Sequence, residues 1–101
     1  QTSAELNSRL SDLVPNYQSG IKSLYQLPVP KIFAGIHKTK IAYLSAELKL
    51  LEKMAGMKED PMGAILAGKN FIEVEKEFQD ELIAQITGIF EKIKSDNKNS
   101  S

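Results

Sequence analysis

The chain has 101 residues, the size of one ordinary domain, with 42% hydrophobic and 26% charged residues, enough for a single core without disulfide or metal staples. Its thirteen basic and thirteen acidic side chains cancel, so no global field draws it onto nucleic acid or an anionic membrane, and no apolar run within it is long enough to span a bilayer. The absence of cysteine removes disulfides, thiolate metal sites and thiol nucleophiles, and leaves the cytoplasm and the exterior equally open.

Gln1 rather than Met stands first, which carries the expectation of an upstream segment, a signal peptide or a membrane anchor. Leu6, Leu10, Leu13, Tyr17, Ile21 and Leu24 then recur at steps of three and four, predicting an amphipathic helix over 3–26. Pro15 inside it removes a backbone donor and crowds the preceding turn, so a kink or a division into two helices is expected there.

Pro28 and Pro30 cannot sit inside a helix and make a stiff turn, with Pro30 suited to open the next helix. Over 31–55 the stripe Phe33, His37, Ile41, Leu44, Leu48, Leu51 and Ala55, widened by Ile36, Tyr43, Leu50 and Met54, predicts a long buried helix. Gly56 reads as its stop, and Asp60 followed by Pro61 as an N-cap with proline at the first helical position.

The third helix is predicted over 61–94 from Ala64, Ala67, Phe71, Val74, Phe78, Leu82, Ile86, Ile89 and Ile93. Residues 95–101 are polar and expected to be disordered. Two short connections between long helices favour an antiparallel, up-down-up three-helix bundle with a kinked first helix and a long third one. A hairpin folding about Lys58 would set Glu47 near Lys69, Lys40 near Glu75 and Glu77, and His37 opposite Gln79 and Asp80.

Catalytic chemistry is hard to assemble from these residues. His37, the only histidine, falls on an apolar stripe, and the reading given to it is a buried polar group hydrogen-bonded to Gln79 or Asp80. No Glu-x-x-His motif offers a di-metal bundle site, and Glu73 with Glu77 supplies too few oxygens for a hard cation. No glycine-rich phosphate loop and no hydrolase triad is present. No catalytic, cofactor or metal-ligating residue is therefore assigned.

Charge is nevertheless uneven along the chain. No acidic residue lies between Leu13 and Ala46 while Lys22, Lys31, Lys38 and Lys40 do, and Glu73, Glu75, Glu77, Asp80 and Glu81 crowd one stretch. These two groups are expected to face each other across the hairpin. Met54, Met57 and Met62 gather at the second turn, where they fill the end of the bundle or serve an adaptable binding surface. Toward the end of the third helix, Ile86, Ile89, Phe90 and Ile93 outrun the partner helix and form a candidate patch for a protein partner or for self-association.

The string Leu24-Tyr25-Gln26-Leu27-Pro28-Val29-Pro30, followed by His37, the Leu44 to Met54 stripe, Asp60-Pro61 and Ile89-Phe90-Glu91-Lys92-Ile93, resembles the C-terminal helical domain of uncharacterised membrane-anchored or secreted proteins of small-genome, candidate-phylum bacteria. The likeness runs from about Tyr17 to Ile93. It implies a cell-envelope or extracellular location, with attachment through a segment upstream of Gln1, and brings no catalytic residues. The functional expectation is a non-enzymatic, envelope-exposed interaction or spacer domain. The alternative is a carrier of a small apolar ligand, with room left by Gly63, Ala64, Ala67 and Gly68.

Overall fold

Apolar spacing of three and four residues gives three helices, and the computed structural model describes them over residues 3–100, with side chains described for 4–98. α1 spans Ser3–Gln26, α2 Ala34–Ala55 and α3 Pro61–Ser100. The chain is an all-α three-helix bundle in which α2 packs against both α1 and α3.

α1 continues through Pro15 as one element. Pro15 is exposed, so water can serve the carbonyl whose helical donor is missing. Leu10 is buried, while Val14, Tyr17, Ile21 and Leu24 are half-buried against α2. The residues after Gln26 close with a Leu27 N–H donating to the Leu24 carbonyl at 3.3 Å.

α2 starts later than the sequence pattern suggests. A short 3-10 turn, Lys31–Phe33, precedes it, pinned by the Phe33 N–H donating to the Pro30 carbonyl at 2.9 Å. Pro30 has the extended backbone of φ −54 and ψ 146 and no side chain that can cap, so a tight turn is needed before regular helix begins. At the other end the Gly56 N–H donates to the Lys53 carbonyl at 3.2 Å, and the Gly56 carbonyl accepts from both Glu59 and Asp60.

That last arrangement sets the register between α2 and α3. The chain makes a further turn beyond the end of α2 before reversing, so the first turns of α3 project past it. As α2 is followed from Thr39 through Tyr43 and Glu47 to Met54, the α3 residues beside it fall from Gln85 through Phe78 and Glu75 to Gly68. The two helices thus run in opposite senses. Glu47 meets Glu75 and not Lys69, six residues away from the expected partner. Lys40 is level with Leu82, and Glu73 and Glu77 share a surface groove with Lys49 and Lys53.

α3 starts on the Asp60 cap, whose Oδ1 accepts the Gly63 N–H at 3.0 Å. Its forty residues at about 1.5 Å each account for the 62 Å long axis of a molecule only 25 × 20 Å across. The helix runs on to Ser100, so the tail expected to be disordered is helical as far as it is described, and Ser101 lies outside the described residues. No glycine or proline occurs after Gly88, so nothing in the sequence stops the helix where the apolar pattern ends.

The core runs along α2 and α3. Leu51, Ala64, Ala67 and Phe78 are buried, and Tyr43 stacks on Phe78 with ring centroids 5.1 Å apart. Gly68 gives Met54 room against α3, where a Cβ would lie 3.7 Å from the Met54 Cε.

Candidate functional site

Three places depart from a plain helical core. The first is Glu47, which is 0% exposed in the middle of α2, the helix flanked on both sides. Its carboxyl meets Glu75 from α3, and Tyr17 from α1 lies within electrostatic reach of both. As a carboxylate, Glu47 has no hydrogen-bond partner for either oxygen among the described residues. A proton on one carboxyl supplies the missing donor.

Burial and the hydrogen bond to Glu75 push Glu47 up to about 8. Glu75 moves the opposite way, lowered by its bond with Glu47 and by the Gln79 amide, whose Nε2 donates to Glu75 Oε1 at 3.0 Å. The pair therefore holds one proton, with Glu47 as the neutral donor and Glu75 as the anion. Burial, and then the two carboxylates, also raise the Tyr17 phenol.

The sequence pattern gave no warning of this pair. α2 has two covered faces, so a charged residue between its stripes is enclosed instead of solvated, and the register decides what it meets. The expected buried polar group of His37, Gln79 and Asp80 does not form. His37 is half-buried, while Gln79 and Asp80 are exposed, because the register shift moves them toward the middle of α2. The interhelical polar contact near His37 comes from Gln85, whose Nε2 donates to Thr39 Oγ1 at 2.7 Å.

The second place is a cavity of about 660 Å³ at the end where α1 begins and α2 turns into α3. It is lined by Leu6, Leu10, Met54, Met57, Pro61, Ala64 and Ile65, with Lys58 as the only charged side chain among the described residues. Met54 and Met57 belong to it, whereas Met62 is exposed. Of the small residues expected to leave room, Ala64 lines this cavity, and Gly63 and Ala67 line a neighbouring groove with Leu50, Lys53 and Asp60.

The third is the outer face of α3. Its core stripe passes from Phe78 through Leu82 and Gln85 to Ile89, all buried or half-buried. Ile89 is thus drawn into a groove against Lys31, Ile32, Gly35 and Ile36 and leaves the expected patch. Ile86 and Ile93 belong to a second stripe with Ile83 and Phe90, at exposures of 42%, 39%, 62% and 65%. These four recur at alternating steps of three and four, the spacing of a coiled-coil seam. Ile83 was missed because the core stripe through Leu82 masks it in a single-stripe reading.

Among the described residues no helix is long and apolar enough to cross a membrane, and no three acidic or histidine side chains converge on a cation position. Comparison with protein-family models, with curated proteins and with solved structures gives no match.

Proposed function

We propose that this chain is a non-enzymatic interaction domain that docks through the outer face of α3, with the remainder of the bundle holding that face rigid. The observation carrying this reading is the exposed Ile83, Ile86, Phe90 and Ile93 stripe. Apolar side chains aligned along 10 or so residues of a rigid helix form a seam, which scattered surface hydrophobics do not. An envelope-exposed position, with the bundle as a spacer behind the docking face, is part of the same proposal and rests on the family resemblance alone. Proteolysis of intact cells checks it: degradation from outside supports exposure, and full protection removes it.

A photoreactive phenylalanine analogue at position 90, activated in the producing cell, tests the docking itself. A discrete covalent product that disappears on Ile86→Asn is the expected result. Absence of any product, with the bundle intact, overturns the reading.

A second reading, carriage of a small apolar ligand, is favoured by the end cavity, whose volume and apolar lining fit such a guest. Native mass spectrometry of the purified chain should then show a retained small mass that Ala64→Leu removes. A bare chain under gentle conditions counts against it.

A further inference from the structure

We propose that the docking face of α3 pairs with the same face of a second copy of this chain, antiparallel, about a two-fold axis near Gly88. This rests on the docking reading above and names its partner.

Pairing the four side chains of the stripe with one another fixes the register. In an antiparallel pair of helices the two positions of a heptad seam meet each other in each layer. Crossing at position 88 brings Ile83 against Ile93 of the partner copy and Ile86 against its Phe90, and symmetry repeats both contacts. The four side chains of this stripe are then covered by one another, while Ile65 and Ile72, exposed nearer the start of α3, stay outside the contact. The next layer outward on either side sets Gln79 against Asn97, an amide pair that bounds the apolar section.

The charges flanking the seam choose the direction. With the two-fold at Gly88, Asp80 of one copy lies beside Lys94 of the other, twice over, and Thr87 sits near its own symmetry mate. All of these side chains are exposed, so the surface is available to a partner. A parallel pairing in register would instead hold Asp80 of one copy fourteen residues, about 21 Å, from Lys94 of the other, and neither charge would meet its opposite. The segment from Lys76 to Ser100 is helical throughout, so the overlap is about 37 Å long. Such a contact buries on the order of 1,000 Å² in total, near the lower limit for a specific interface. A concentration-dependent dimer is expected.

Sedimentation velocity of the full chain between about 1 and 200 µM tests it. The expected result is a shift from the 11.2 kDa chain to twice that mass, abolished by Phe90→Ser with the helical circular dichroism retained. Asp80→Lys alone and Lys94→Asp alone should each weaken the dimer about tenfold, and the two together should restore it. The chain has no cysteine, so single introduced thiols report the geometry. Thr87→Cys should oxidise to a covalent dimer and Gln79→Cys should not. The reverse thiol pattern, or a monomer at every concentration, overturns the proposal. A photocrosslink at position 90 to a product other than twice the chain mass would do so while leaving the docking reading standing, whereas no crosslink at all removes both.

Discussion

Glu47 of α2 and Glu75 of α3 face each other inside the bundle, with Tyr17 of α1 beside them and Gln79 tying down Glu75. Two carboxylates on neighbouring helices would repel in a region with little water, and the pair avoids this by retaining a proton. The contact joins α2 to α3, and Tyr17 of α1 feels the charge of both carboxyls, so its protonation state bears on the stability of the bundle.

The sign of the pH dependence follows from the two shifts. Glu47 is raised from 4.5 to about 8, so its contribution is complete below the unfolded value and is lost as pH rises toward 8. Glu75 is lowered, so its contribution is complete above the unfolded value and is lost as pH falls through its folded value. Stability should therefore peak in mildly acidic solution, near the ordinary carboxylate range, and decline toward pH 8 by up to about 1.4 kcal/mol per pH unit. Glu47→Gln keeps a donor facing Glu75 and has no proton to lose. It should flatten the alkaline limb and gain on the order of 2 kcal/mol at pH 7. Urea unfolding from pH 4 to 9 measures both effects, and an unchanged limb in the variant would show that another group governs it.

Phe78 is buried and stacks on Tyr43, so Phe78→Ala removes the main aromatic contact between α2 and α3. A loss of roughly 3–5 kcal/mol is expected. Phe90→Ala, an exposed ring on the same helix, should cost less than about 1 kcal/mol in a monomeric sample. Thermal melts at low protein concentration separate the two.

The start of α3 depends on one side chain. Asp60→Ala removes the acceptor for the Gly63 N–H and should cost about 1 kcal/mol. A Cβ at Gly63 would run into the Asp60 carboxyl, so Gly63→Ala should displace the cap, and the helix preference of alanine over glycine, about 1 kcal/mol, should offset most of that loss. Because both act on one interaction, the double variant should fall well short of the sum. Additive losses in denaturant unfolding would rule out this shared cause.

Pro15 lies inside a continuous, exposed stretch of α1. Pro15→Ala restores a helical donor and should raise stability by about 1–3 kcal/mol. Amide hydrogen exchange should slow most in the residues flanking position 15. Unchanged exchange would mean that the proline costs α1 nothing.

The helical class and the approximate extent of each helix were legible in the sequence, since spacing of Leu, Ile and Phe at three and four residues depends only on helix geometry. Asp60-Pro61 marked the start of α3 because capping is a local interaction. Ile86, Phe90 and Ile93 were legible as an apolar surface for the same reason. Local pattern was poorer at the end of α3, where the polar tail continues the helix to Ser100 for want of any glycine or proline to interrupt it.

Tertiary structure decided the rest, and the decision turned on register. A loop of five residues, Gly56 to Asp60, carries the chain past the end of α2, and the resulting six-residue offset exchanges Lys69 for Glu75 as the partner of Glu47. It also leaves Gln79 and Asp80 in solvent and moves Ile89 from the outer face to the groove beside Ile36. Which residue lies on which face of a helix is a periodic property of the chain. Which face meets which neighbour is fixed by how small and large side chains interlock across helices, here Gly68 beside Met54 and Phe78 on Tyr43, and that is a property of the folded molecule alone.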